Sequence, residues 1–245
     1  MTYCVGMLLD AGMVFLADSR TSAGVDQVST FRKLNVFEHP GQRVMVLMSA
    51  GNLAISQTVV SLIREHQAAG AAVNLNTVPN MFEAVRYVGD LLREVHRRDS
   101  AALKDHNIEF NASFVFGGQI GIEPPRLFSL YAPGNFIEAT ADTPYFQVGE
   151  SKYGKPIIDR VVTRSTSLAQ AAKCALISMD STIRSNLSVG LPLDLLSIRR
   201  DALRVHSHAN IDADHAYFQM IRTRWSESLR HAFHELPDPD WLRQS

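Results

Sequence analysis

Apolar and polar positions divide this chain into two kinds of stretch. Short apolar runs bounded by turn residues predict strands, and longer runs with apolar residues three and four apart predict helices. The first run holds Val5, Met7 and Leu9. Asp10-Ala11-Gly12 breaks it as a hairpin turn, and residues 13–17 return as a second strand that closes on Asp18-Ser19-Arg20. The small, polar segment 21–30 predicts a loop. Strands follow at 34–37 and 44–48, parted by His39-Pro40-Gly41-Gln42. The second of these runs into Ser49-Ala50-Gly51-Asn52, where a helix is predicted to begin. Residues 79–98 predict another helix. Met81, Val85, Val88, Leu92 and Val95 share one face of it, and Glu83, Arg86, Asp90 and Arg93 share the other.

The middle of the chain predicts strands at 112–116, 126–131, 136–139 and 145–148. Gly117-Gly118, Pro124-Pro125 and Pro133-Gly134 are read as the breaks between them. A helical stretch is expected from Gly149. An alanine-rich helix over 167–186 turns Leu168, Ala171, Ala172, Ala175, Met179 and Ile183 inward. A hairpin at 195–198 and 203–206 precedes a last helix over 214–236. Its stripe is Phe218, Ile221, Trp225, Leu229 and Ala232, and Pro237-Asp238-Pro239 stops it. This order predicts an α+β fold, with two antiparallel sheets face to face and helices on both outer faces. No linker, repeat or low-complexity run interrupts it, so residues 1–245 are expected to form one domain.

Composition narrows the function. With 24 basic and 25 acidic residues the net charge is −1, which gives no electrostatic reason to expect nucleic acid or an acidic membrane as partner. Asp10 interrupts the first apolar run and no basic residue precedes it, so a signal peptide is not expected. Nothing further along is apolar enough to span a bilayer, and a cytoplasmic location follows as the expectation. Cys4 and Cys174 lie far apart in apolar surroundings and read as reduced core residues. Among the nine histidines, His206 and His208 share a strand face, and His231 and His234 share a helix turn. Neither pair has a cysteine or acidic partner at ligand spacing, and neither a metal nor a cofactor is predicted. There is no G-x-S-x-G elbow, H-E-x-x-H pair or Walker loop. The glycines at 117, 118 and 121 join strand to strand, unlike a dinucleotide fingerprint.

The remaining candidate chemistry is at the N-terminus. Removal of Met1 would leave Thr2 with a free α-amine, whose reference pKa is about 7.7–8.0. That amine can take the proton from the Thr2 Oγ, so one residue supplies both nucleophile and base. Such a site needs a cation to lower both pKa values, a carboxylate to hold the cation, and a backbone N–H aimed at the developing oxyanion. Lys33, Asp18 and the strand-to-helix junction at Gly51 are the candidates. Each also has an ordinary reading: Thr is common at position 2, Asp18 suits a strand end, and Lys33 suits solvent.

Ala17-Asp18-Ser19-Arg20-Thr21-Ser22-Ala23-Gly24 resembles the segment after the second strand of proteasome β subunits. Arg32-Lys33 and Ser49-Ala50-Gly51 stand where that family keeps its lysine and its oxyanion glycine. The opening Met-Thr-Tyr-Cys-Val-Gly, the Thr-Phe-Arg-Lys run, Ser-Ala-Gly-Asn and the late Pro-Asp-Pro-Asp-Trp are similar to the bacterial proteasome-related group called Anbu. The resemblance covers nearly the whole chain. It implies the N-terminal nucleophile hydrolase fold, a four-layer αββα sandwich, and a threonine peptidase. By the same resemblance Thr2 is nucleophile and base, Asp18 and Lys33 are the supporting pair, and Gly51 lines the oxyanion hole. Three places depart from the pattern. The Thr2–Lys33 interval is one residue shorter than in most β subunits. Gly149-Glu150-Ser151 stands where they often show Gly-Ser-Gly, which leaves Ser151 as a supporting hydroxyl, and Asn186 precedes Ser188-Val189-Gly190 where they carry an Asp. The implied partners are a peptide or protein substrate, further copies of this chain in a ring or ring-like homo-oligomer, and an unidentified ATPase or accessory protein. The same site chemistry also suits a small-amide amidase or acyltransferase, and a non-catalytic assembly subunit is the alternative outside enzymes.

Overall fold

The structure is a computed structural model, and it describes residues 1–22 and 28–242. Ten of its strands form two antiparallel sheets. The first sheet contains β1 (Tyr3–Leu9), β2 (Gly12–Asp18), β10 (Tyr145–Gly149), β11 (Leu193–Arg199) and β12 (Val205–Ile211), in the order β10-β1-β2-β11-β12. The second contains β5 (Leu34–His39), β6 (Arg43–Gly51), β7 (Ala112–Ile120), β8 (Arg126–Leu130) and β9 (Phe136–Glu138), in chain order. The expected 21–30 loop is instead a short ladder at both ends. β3 (Arg20–Ser22) pairs with β4 (Val28–Thr30), and residues 23–27 lie outside the described ones.

Five helices cover the sheets: α1 (Leu53–Ala68), α2 (Met81–Asp105), α3 (Lys155–Val161), α4 (Leu168–Ser185) and α5 (Ala216–Glu235). Their starts follow from local chemistry. The Asn52 side chain accepts from the N–H groups of Ala54 and Ile55, Asn80 accepts from Glu83, and Ser167 forms a capping box with Gln170. Three apolar clusters hold these elements together. Cys4, Phe15 and Ala17 of the first sheet share one with Val46, Val115 and Leu127 of the second. Met45, Phe116 and Phe128 share another with Val59 and Ile63 of α1 and Val85 and Leu92 of α2. Tyr3, Val5 and Leu16 share the last with Ile158 of α3, Ala175 and Met179 of α4, and Phe218 and Ile221 of α5. The fold is thus mixed α+β, with antiparallel sheets and helices.

Several expectations are corrected. Gly117 and Gly118 do not end a strand, because β7 runs through them to Ile120. A Cβ on Gly117 would stand 2.5 Å from Met13 Cε, and one on Gly118 2.1 Å from the Val44 carbonyl oxygen. Gly117 answers a close approach of the other sheet and Gly118 a close approach of the adjacent strand β6 in its own sheet, and neither makes a turn. Gly149 ends β10 with φ +84°, and the next helix waits until Lys155. The predicted stripe of α5 is buried only at Phe218 and Ile221.

Candidate active site

The pairing register brings the N-terminus to the edge of a cleft. Tyr3 lies opposite Gly149, Cys4 opposite Ala17, and Asp18 opposite Leu193. Tyr3 is fully buried, and its hydroxyl is 2.9 Å from Ser178 Oγ and accepts from Gln147 Nε2 at 2.6 Å. These contacts fix the start of β1, and with it Thr2. The Thr2 carbonyl accepts from the Glu150 N–H at 2.7 Å. Gly149 permits this, since a Cβ there would stand 2.0 Å from the Thr2 oxygen.

Asp18 is buried at the end of β2. Its Oδ1 accepts from the Tyr3 N–H at 2.9 Å and from Lys33 Nζ at 2.8 Å, and the Gly190 N–H approaches Oδ2 at 3.5 Å. Lys33 Nζ also donates to the Arg20 carbonyl at 2.6 Å. The two side chains are 0% and 5% exposed. Burial raises the Asp18 carboxyl above its ordinary range, opposed by the Lys33 ammonium and the Tyr3 N–H. A buried carboxylate without such partners would be costly, so the pair explains how the first sheet tolerates a charge there. Close by, the Cys4 thiol donates to the Ser49 carbonyl at 3.7 Å, and burial pushes its pKa up.

Thr2, Lys33 and Gly51 line one cleft of about 690 Å³, together with Thr21, Ser49 and Ser113. Gly51 closes β6 with φ +103°, and a Cβ on it would meet the Asn111 carbonyl oxygen at 2.4 Å. The capped first turn of α1 follows directly and directs the positive end of its helix dipole toward this end of the cleft. Four of the residues singled out in the sequence, Thr2, Asp18, Lys33 and Gly51, therefore converge. Ser151 is placed differently. It follows the Gly149 turn, its N–H donates to the Gly149 carbonyl and its carbonyl accepts from the Lys155 N–H, and it is not among the residues lining the cleft. Among the described residues, no group of three or more His, Cys, Asp or Glu side chains could hold a metal ion, and no helix is long and apolar enough to cross a membrane.

No family model matches the chain, and no curated protein matches it. Solved structures do. Anbu (ancestral β-subunit) from Yersinia bercovieri is 52% identical to it, covers 97% of this chain and 99% of its own, and superposes with a TM-score of 0.92. The chain belongs to the Anbu family. A Gly-1 mutant of Anbu from Hyphomicrobium sp. strain MC1 is 50% identical over 98% of this chain and 100% of its own, with a TM-score of 0.92. The helical assembly of the Anbu complex from Pseudomonas aeruginosa gives 50% identity over 97% and 98%, with a TM-score of 0.92.

Within this Anbu chain, sequence reasoning passed over part of the frame. Glu150 is buried and accepts from Asn186 Nδ2 at 2.9 Å, while its backbone N–H holds Thr2. Asp194 is buried opposite Ala17 in the ladder, with Ser19 Oγ at 3.5 Å and His208 Nε2 at 3.3 Å. The Thr21 Oγ1, on a residue lining the cleft, is buried and has no hydrogen-bond partner among the described residues. An acid inside an apolar strand, as in Leu193-Asp194-Leu195-Leu196, was the available signal for Asp194.

Proposed function

We propose that this chain is a threonine-type hydrolase subunit that cleaves peptide amide bonds, working within an assembly of its own copies. The observation that carries this reading is the buried Lys33–Asp18 pair, 2.8 Å apart, tied through the Tyr3 N–H to the residue next to Thr2 in the cleft. With Met1 removed, the Thr2 amine takes the proton from Oγ as Oγ attacks the substrate carbonyl carbon. The tetrahedral intermediate carries its negative oxygen toward the Gly51 N–H. Collapse breaks the C–N bond, the leaving amine takes the proton from the Thr2 ammonium, and an ester to Thr2 remains. Water, deprotonated by the same amine, then hydrolyses the ester and restores Oγ. The Lys33 charge lowers the pKa of the nucleophile, and Asp18 holds Lys33 in place. The scaffold is the four-layer αββα arrangement in one domain, which the three apolar clusters favour. The helical assembly of the Pseudomonas aeruginosa relative supports self-association.

Intact mass and turnover test the reading together. The purified chain should lack Met1 and hydrolyse fluorogenic peptides. Thr2→Ala should fall to background. Thr2→Ser, which loses only the methyl that restrains χ1, should be slower but active. An electrophilic threonine-directed inhibitor should add its mass to Thr2. A form with a permanently blocked Thr2 amine that hydrolyses peptide as fast as the processed form would refute the proposal.

A further inference from the structure

A second groove adjoins the cleft of Thr2. It holds about 560 Å³ and shares Ser49, Leu53 and Ser56 with that cleft. One side of it is a face of α1. Leu53, Gln57, Ser61 and Arg64 recur at spacings of four, four and three, so they follow one another along the helix. The other side is Arg32 with the first residues of β5, and His208 of β12 completes it. The groove is cationic. Arg64 donates to Asn35 Oδ1 at 3.0 Å, which holds its guanidinium against the β5 side and leaves the rest of its donor fork for a ligand. Arg32 is exposed in the same groove. Among the described residues no acidic side chain lines it. The two carboxylates closest in the fold are engaged elsewhere. Asp194 is buried, with His208 Nε2 at 3.3 Å, and Glu38 of β5 accepts from the Val205 N–H at 2.8 Å.

We infer that this groove receives a carboxylate side chain of the peptide being cleaved, so that the site selects substrates with Asp or Glu near the scissile bond. The forked guanidiniums match a carboxylate in shape as well as in charge. Position follows from the strand. Lys33 lines the cleft with Thr2, and Asn35, which holds Arg64, is two residues further on. That is about 7 Å of extended chain, so an extended peptide leaving Thr2 carries its acid to Arg64 within about three residues of the cut. A basic side chain at the same place meets two guanidiniums and no carboxylate, which gives the groove a means of rejection as well as of choice.

This inference rests on the peptidase reading and names its substrate. Internally quenched peptides that differ only by Glu, Gln or Lys near the cut read it by turnover in the processed chain. The same peptides, singly labelled, read it by anisotropy on the Thr2→Ala chain, which binds without cleaving. In both assays Glu should be preferred over Gln by about threefold to tenfold, and Lys should be worst. The preference should shrink as salt rises, and in turnover it should sit in KM more than in kcat. Arg64 is exposed, so its variants should unfold at the wild-type temperature. Arg64→Gln should bring the Glu-to-Gln ratio near one, and Arg64→Glu should turn the preference toward Lys. Arg97→Gln, exposed on α2 outside the groove, should leave the ratio unchanged. Equal treatment of Glu and Gln, or a Glu preference that survives Arg64→Glu, would overturn the inference and leave any observed turnover to the peptidase reading. Glu-selective binding lost in Arg64→Gln, with no peptide cleaved, would keep the groove and end the peptidase reading. A chain that neither binds nor cleaves any of these peptides would overturn both.

Discussion

Lys33→Ala isolates the central ion pair. In the native chain Asp18 Oδ1 receives Lys33 Nζ at 2.8 Å, and neither side chain is meaningfully exposed. The substitution leaves Asp18 with the Tyr3 N–H at 2.9 Å and the distant Gly190 N–H as its remaining donors. Breaking a buried pair from one side costs about 3–5 kcal/mol. For a chain of this size that is a fall in Tm of about 6–20 °C. The loss should depend on pH. Without Lys33, burial raises the folded carboxyl further above its unfolded value. A group shifted that way is stable in its protonated form below the unfolded pKa, and stability is lost as pH rises through the folded pKa. The deficit of Lys33→Ala against wild type should therefore be small near pH 4. It should grow by about 1.4 kcal/mol per pH unit only once the pH passes the wild-type folded value, which burial already raises, until it reaches its plateau at that of the variant. Urea unfolding followed by circular dichroism at several pH values reads both quantities. Asp18→Asn combined with Lys33→Met, which removes both charges, should be less destabilised than Lys33→Ala at pH 8. A Lys33→Ala chain whose stability matches wild type at every pH would mean that Asp18 does not depend on Lys33, and the electrostatic account of the site would fall.

Other outcomes follow from the same contacts. Gly149→Ala forces a side chain into φ +84° and onto the Thr2 carbonyl oxygen, so inhibitor labelling of Thr2 should fall by at least about a hundredfold, the scale of a one-ångström misplacement. Gly51→Ala, at φ +103° against the Asn111 carbonyl, should lose about 1–3 kcal/mol from backbone strain alone in urea unfolding. Both cysteines should resist a thiol reagent at pH 8 until the chain unfolds. They are buried, and burial pushes Cys174 up to about 11, which leaves about a thousandth of it as thiolate.

The strands and long helices were legible because each buries one periodic face, as in α2 with Val85, Val88, Leu92 and Val95. Thr2, Asp18, Lys33 and Gly51 were legible as a set because their order matched a known pattern. Gly117-Gly118 was misread because a glycine that admits a close neighbour, whether another sheet or the next strand, and a glycine that makes a turn look alike in sequence. Their difference lies in partners far along the chain, Met13 and Val44. Glu150 was passed over for a related reason. It holds Thr2 through a backbone N–H, which any residue type could supply. The uncovered part of the α5 stripe was invisible because periodicity reports a face that wants burial and not whether the molecule buries it.

The cleft draws Gly149 and Thr2, which leads into β1, from the side of the first sheet and Ser49 and Gly51 from the second, so it is a joint between two plates. What sets the offset of those plates is a pair of holes. Gly6 on the first sheet admits Val115 and Leu127 of the second, and Gly117 on the second admits Met13 of the first. Gly117 lies five residues along β7 from Ala112, the partner of Gly51, or about 17 Å at strand spacing. A methyl group added at that distance touches no part of the cleft, yet it would shift one jaw against the other. The alignment tolerance of the site is therefore set by two residues that have no side chain, in the dry interior between the sheets.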